Sequence, residues 1–447
     1  MGKMQSELVA PDKDFYASRS HAWWKVAVAM IGSCMSGVTF VSVPGMVGSI
    51  GFGYLQMCMG FFLGYLVIAF VLTPMYFRLG VVSVYEYLDK RFGMASHKSG
   101  AWFFFISKIT GASVRLYLMI ATLQLLVAGP AGVPFWVTVL VVMLLEWLYT
   151  VRRGVRAVIW LDIVKTISML LAVILCLILT GREVGSPDTS LMRVFYFDDI
   201  NHPQFFPKQF LGGLFTVIAT TGLDQDLMQR TLACKNVRDS QKNLLVSSVL
   251  QTVVIAMFLL LGVFLWQFAA AHGIQVTRGD ELFPAVAWSG LLPASGLVPA
   301  LFIIGLLMAG FPSGGSALTS LTTSFTLDIL GSDKRRTLVH STMAVLMAAC
   351  ILAFSALNST SVIDAVYRLA SYTYGPILGL FAFGLLCKTP VKDKLVPLVA
   401  VLAPVLCLLL DLNSRAWFGG YRFSYEILPL NGLLTMAGLW LIRKRHV

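Results

Sequence analysis

The 447-residue chain reads as an all-α integral membrane protein of about twelve transmembrane helices. Its residues are 57% hydrophobic and only 13% charged, a composition that a soluble domain of this size does not have. The apolar residues gather into twelve segments, and the basic residues alternate between the loops that join them. Two segments, the first and the sixth, are interrupted in mid-length by Gly, Pro and small hydroxyl residues.

The N-terminal stretch to residue 22 is polar and carries no signal-peptide apolar core. The apolar segments follow at 23–48, 55–77, 101–128, 135–150, 156–180, 207–224, 244–268, 297–324, 337–357, 361–386, 395–411 and 427–442. Each is long enough, or nearly so, to cross a hydrocarbon core of about 30 Å as a helix. Two connecting stretches, Ser83 to Phe92 and Asp280 to Leu291, have helical patterns of their own. With the N-terminus inside, 24 Lys and Arg fall in inside loops and 6 in outside loops. That asymmetry places both termini on the cytoplasmic side.

The break in the first segment lies in GSCMSGVTFVSVPG, with Gly37, Thr39, Ser42, Pro44 and Gly45. The break in the sixth lies at Thr220-Thr221-Gly222, before DQDLMQR. Backbone freed in this way is tolerated in a membrane only against protein or a water-filled cavity. The segments stand five apart, so one is inverted relative to the other, as in transporters built from two inverted five-helix repeats. Unwinding is expected at Gly37–Ser42 and Thr220–Asp224, with the breaks facing each other. The expected organisation is a cytoplasmic segment 1–22, a first repeat 23–180, an external loop 181–206, a second repeat 207–386, and two peripheral spans with a basic tail at 387–447.

Other classes lack their signals. The seven cysteines lie in or beside apolar segments and form no external pair, and the six histidines have no metal spacing. No nucleophile–base pair or phosphate loop is present, which argues against an enzyme. The net charge of +12 follows from the basic inside loops rather than from nucleic-acid binding. The expected partners are a small-molecule solute and the lipid bilayer, with the protein a monomer.

Four stretches carry a family resemblance: YEYLDKRFG (85–93), TGLDQDLMQR (221–230), SALTSLTTSFTLDIL (316–330) and SVIDAVYRLASYTYGPILGLFAFGLL (361–386). Together with GVTFVSVPG they resemble the sodium/solute symporter family, and its bacterial members most. The resemblance implies a leucine-transporter-type fold, alternating access and a bacterial inner membrane. The chain begins in what resembles the loop after the family's usual extra N-terminal helix, so that helix is expected to be either absent or upstream of Met1. Carried over by position, the family's sodium site implies the carbonyls of Gly37 and Phe40 and the hydroxyl of Ser313. A second site in some members implies Asp162 and Ser316. The chain departs from the pattern at Pro312, where a second Ser is usual, and at Gly315.

Lys165 is a further departure. It stands three residues after Asp162 on one helix face, so the two can pair. They are the candidate coupling residues. Either they form a structural ion pair, or the ammonium group replaces a bound cation and carries a proton in place of Na⁺.

The candidate solute-binding residues lie around the breaks and on the third and tenth segments. Lys108 and Arg115 are seven residues apart on one face, and an Arg binds a carboxylate bidentately. Thr39, Ser42, Thr220 and Thr221 offer hydroxyls, Asp224 ends the second break, and Gln56, Tyr367 and Tyr372 offer polar and aromatic lining. Intramembrane acids are few: Glu146, Asp162 and, near segment ends, Asp224 and Asp364. Arg115 has no acid within its own segment, whereas Arg368 has Asp364 four residues back. The expected function is therefore Na⁺-coupled symport of a small polar solute bearing a carboxylate. The alternatives are proton-coupled or uncoupled transport, a neutral sugar as solute, and a transporter-like sensor.

Overall fold

A computed structural model describes residues 22–80, 83–151, 155–292, 296–332, 335–357 and 362–444. Among these, regular structure is helical: α1 (Trp23–Cys34), α2 (Gly37–Ile50), α3 (Tyr54–Val67), α4 (Thr73–Leu79), α5 (Glu86–Arg91), α6 (Met94–Leu123), α7 (Phe135–Thr150), α8 (Val155–Val184), α9 (Phe206–Val217), α10 (Gln225–Leu232), α11 (Val237–Ala271), α12 (Leu282–Trp288), α13 (Leu297–Ser324), α14 (Arg336–Leu357), α15 (Val362–Leu386), α16 (Val396–Trp417) and α17 (Ile427–Leu441). Each of the twelve apolar segments falls on helix. Eight described helices are long and apolar enough to span a membrane, or nine if the bent pair α1 and α2 is one span. α7 and α17 are apolar but shorter, and the sixth segment covers α9 and the widened turn after it, ending just before α10.

Helices meet where small residues remove the side chain between them, as expected where no hydrophobic force drives association. α3 crosses α9 almost backbone to backbone. A Cβ on Gly60 would lie 2.1 Å from the Phe210 carbonyl oxygen, and one on Gly213 would lie 2.2 Å from that of Met57. Gly60→Ala is therefore expected to destabilise the protein by about 1–3 kcal/mol through overpacking, read as a lower Tm in detergent. An unchanged Tm would show that the two helices do not approach this closely. α2 meets α11 in the same way, through Gly262 against the Pro44 carbonyl. Large apolar side chains such as Leu144, Val345 and Leu402 point outward, as lipid-facing surface requires.

The first break lies slightly earlier than the glycine and proline positions suggest. α1 ends at Cys34, Met35 is extended, and α2 starts at Gly37 with a 62° change of direction. The expected unwinding of Gly37–Ser42 is not observed, because the hydroxyl of Thr39 accepts the Ser36 N–H and starts a new helix there. Pro44 still lies within α2. It has no N–H, so the Phe40 carbonyl four residues earlier loses its helical partner.

The second break follows α9. Ile218–Gly222 form a widened helical turn, Leu223 departs from helix, and Asp224 caps α10 by accepting the N–H groups of Asp226 and Leu227. Two carbonyls freed here are satisfied by buried phenols: Tyr76 donates to Gly222 O (3.0 Å) and Tyr85 to Leu223 O (2.9 Å). The non-helical backbone is thus supported by protein at a depth where lipid could not support it.

Candidate functional site

Both breaks open onto one cavity. Ser36 and Gly37 line it from the first, and Thr220, Thr221 and Asp224 from the second. α6 contributes Ser107, Lys108, Gly111 and Arg115, α13 contributes Ser313, Gly314 and Ser316, and α15 contributes Tyr367 and Tyr374. The site thus lies where broken helices from the two halves of the chain face the third, eighth and tenth apolar segments.

One end of the cavity holds a compact ion cluster. The Lys108 ammonium lies 3.2 Å from Asp224 Oδ2 and 3.1 Å from Asp226 Oδ2. Arg230, one turn after Asp226, donates to Asp226 Oδ1 (3.2 Å) and to Ser316 Oγ (2.6 Å). Ser316 in turn donates to Asp226 (3.0 Å), and Tyr374 donates to Asp224 Oδ2 (2.7 Å). Two cations, two carboxylates and two hydroxyls from α6, α10, α13 and α15 therefore satisfy one another. Charges at this depth are tolerated when paired and hydrogen-bonded in this way.

Arg115 stands apart from that cluster. It is half-buried in the cavity wall, two turns along α6 from Lys108. Among the described residues it forms no ion pair within 4.0 Å. Arg368, by contrast, pairs with Asp364 as its spacing suggests (3.1 Å) and also approaches Asp411 on α16 (3.6 Å).

Lys165 on α8 is fully buried and donates to Ser313 Oγ. Its ammonium thus lies on the hydroxyl that the family's sodium site would use. The Asp162 side chain lies outside the described residues, so its pairing with Lys165 does too. Ser316, the other hydroxyl candidate for an ion, is engaged by Arg230 and Asp226. Gly37 lies at the cavity, while the Phe40 ring packs among Phe258, Phe283 and Phe302.

Several other sequence candidates point elsewhere. Gln56 is buried away from the cavity, donating to Gly53 O and Gln204 O and accepting the Tyr196 N–H. It ties α3 to the 185–205 connection. Tyr372 donates to Asp411 (2.6 Å), Thr39 caps α2, and the Ser42 hydroxyl is buried without a described partner. None of these four is among the lining residues. Tyr367 does line the cavity, and its phenol meets that of Tyr54, linking α3 to α15 near the 185–205 connection. Sequence reasoning overlooked Asp226 and Arg230 as site residues. Their i, i+4 spacing directly after the second break was the available signal.

A sequence profile of the sodium:solute symporter family matches residues 15–391. The human sodium/iodide cotransporter is 24% identical over 405 residues, which is 85% of this chain and 62% of that protein. The chain therefore spans somewhat under two thirds of the length of that relative. The sodium/sialic acid symporter NanT of Aliivibrio fischeri is 24% identical, over 88% of this chain and 82% of that protein. The substrate-bound, outward-open structure of a Na⁺-coupled sialic acid symporter superposes with a TM-score of 0.79 at 18% identity, covering 97% of this chain and 93% of that one. The likeness establishes the overall arrangement of the helices as that of a leucine-transporter-type fold.

Proposed function

The chain belongs to the sodium:solute symporter family, and from that premise we propose that it carries a small carboxylate-bearing solute across a bacterial inner membrane by alternating access, driven by a sodium gradient. The observation that carries the solute class is the division of charge in the cavity. Lys108 and Arg230 are matched by Asp224 and Asp226, whereas Arg115 faces the cavity with no ion pair among the described residues. A guanidinium in this position is costly unless something pairs with it, and a solute carboxylate has the matching bidentate geometry. Thr220, Thr221, Ser36 and Ser107 supply hydrogen bonds for the rest of a polar solute. Sialic acid, transported by a relative, and short monocarboxylates both belong to this class. In this reading Na⁺ binds where the first break meets α13, at the carbonyls of Gly37 and Phe40 and the hydroxyl of Ser313.

The test is uptake into proteoliposomes under an imposed sodium gradient, comparing sialic acid and lactate with their neutral amides. Acids taken up in preference to amides, and only with sodium, support the proposal. Equal handling of acid and amide refutes the solute class.

A second reading of the driving ion is favoured by the bond from Lys165 to Ser313. Here the ammonium is a built-in cation at the ion site, and coupling passes to protons or is absent. If so, replacing sodium by potassium leaves uptake unchanged in the wild type, and Lys165→Gln, which removes the resident charge, is expected to introduce a sodium response or abolish coupling. Sodium-dependent uptake in the wild type that survives in Lys165→Gln would exclude this reading.

A further inference from the structure

The cavity holds about 130 Å³, close to an apolar cavity of about 150 Å³ that takes up one benzene. Sites for drug-sized ligands run from about 300 to 1,000 Å³. The Tyr54–Tyr367 phenol pair bounds the cavity toward the 185–205 connection, and Lys108 with Asp224 and Asp226 bounds it at the opposite end. Both ends are thus tied around this space. An alternating-access carrier must house its solute while both ends are shut.

Many hydrogen-bond donors in the wall are already engaged. Thr220 donates to Thr216 O (2.8 Å) and Ser313 to Ala309 O (3.1 Å), each within its own helix. Ser316 donates to Asp226, and Tyr374 donates to Asp224. The hydroxyls of Ser107 and Thr373 bond each other (2.7 Å). Oxygens held in this way can still accept a hydrogen bond.

Gln251 differs from these. It stands in α11, half-buried in the cavity wall. The Tyr65 phenol donates to its Oε1 (3.0 Å), and Cys34 Sγ lies 3.6 Å from the same phenol oxygen. The single phenol proton goes to Gln251, so the thiol is the donor to Tyr65. Three segments of the chain therefore fix the carboxamide by its oxygen. Its Nε2 has no hydrogen-bond partner among the described residues. A carboxamide N–H in a membrane span is costly unless something accepts from it, and it has the cavity beside it.

We infer that the solute is a short hydroxy monocarboxylate, and that Gln251 is the specificity residue that reads its hydroxyl. This rests on the anion reading of Arg115, which takes the carboxylate. The solute hydroxyl accepts from Gln251 Nε2 and gives its own proton to one of the wall oxygens that can still accept. A chain without the hydroxyl displaces water from Nε2 and leaves the donor unanswered. Phe61, Val217 and Val366 in the wall suit a short carbon chain. A sugar acid of sialic acid's size exceeds the space.

The test is isothermal titration of the purified protein in nanodiscs, in sodium buffer. The solutes are propionate, lactate, the isomer of lactate with its hydroxyl on the terminal carbon, and sialic acid. At least one of the two hydroxy acids is expected to bind about three- to tenfold tighter than propionate, the scale of one neutral hydrogen bond. Sialic acid is expected not to bind at concentrations that saturate the preferred hydroxy acid. Gln251→Met is expected to bring the ratio of hydroxy acid to propionate close to one. Gln251→Asn, which keeps the carboxamide but withdraws it by one methylene, is expected to lower the same ratio. Failure of both hydroxy acids to bind, or tighter binding of sialic acid, overturns the solute assignment. Equal binding of propionate and both hydroxy acids in the wild type, or a preference that persists in both variants, overturns the role of Gln251. These comparisons hold charge constant, whereas the acid–amide comparison varies it. Acid and amide alike with the hydroxyl preference intact removes the anion reading and leaves Gln251. Acid preferred over amide with no hydroxyl preference removes Gln251 and leaves the anion reading.

Discussion

Arg115→Ala is expected to lower affinity for the transported acid by about two to three orders of magnitude while barely changing the weak binding of its amide. Losing one partner of a desolvated, hydrogen-bonded charge pair costs about 2–5 kcal/mol. In the proposed reading that effect falls on the solute carboxylate, because Arg115 forms no ion pair among the described residues and its removal leaves no described acid unmatched. Protein stability should therefore be unchanged or slightly raised. Isothermal titration of acid and amide against both proteins gives the answer. Equal losses for acid and amide would mean that Arg115 shapes the cavity rather than reading charge. Arg115→Lys should recover only part of the affinity, since an ammonium lacks the planar fork.

The second large effect concerns the ion cluster. Lys108→Met leaves Asp224 and Asp226 facing each other with Arg230 as the remaining cation. Breaking a buried pair by removing one partner costs about 3–5 kcal/mol, so a marked fall in Tm is expected. The double variant Lys108→Met/Asp224→Asn restores the charge balance and should recover most of that loss, a non-additivity that identifies direct coupling. Tm values that simply add would show that the groups do not act as a unit. The prediction differs in kind from that for Arg115, although both cations stand on one face of α6. Lys108 has its counter-charges within the protein, and Arg115 has none among the described residues.

That contrast sets the limit of what the sequence disclosed. Both cations were legible as intramembrane charges on one helix face, but the partners of Lys108, Asp224 and Asp226, come from the second break and α10, more than a hundred residues away. The run DQDLMQR looks like a polar exit from the membrane, and counting Arg230 among the loop charges followed from that. Capping by Asp224 instead restarts a helix that carries Asp226 and Arg230 to the cavity. The first break was visible in its glycines and proline, yet its position is set by the Ser36–Thr39 cap, so the kink precedes Gly37. Gln56 and Tyr372 were reasonable polar candidates. Which neighbour each meets depends on helix rotation and on the path of the 185–205 connection, neither of which periodicity supplies. Glu146 was visible as a rare acid, but only its packing against Gly314 and Gly315 of α13 shows that neither carboxyl oxygen has a described hydrogen-bond partner.

The two ends of the cavity are held by bonds of unequal strength. Near the 185–205 connection, the Tyr54–Tyr367 phenol pair bridges α3 and α15; a hydrogen bond of this kind is worth about 0.5–1.5 kcal/mol net. At the opposite end, separating α6 from α10 would strip Lys108 of two carboxylates, at a cost of several kcal/mol. Each 1.4 kcal/mol is about a factor of ten in population. Without solute, thermal fluctuation should therefore part the phenols far more often than the charges. Such a carrier is expected to wait with its binding site open toward one compartment, its turnover paced by whatever compensates Asp224 and Asp226 when Lys108 lets go.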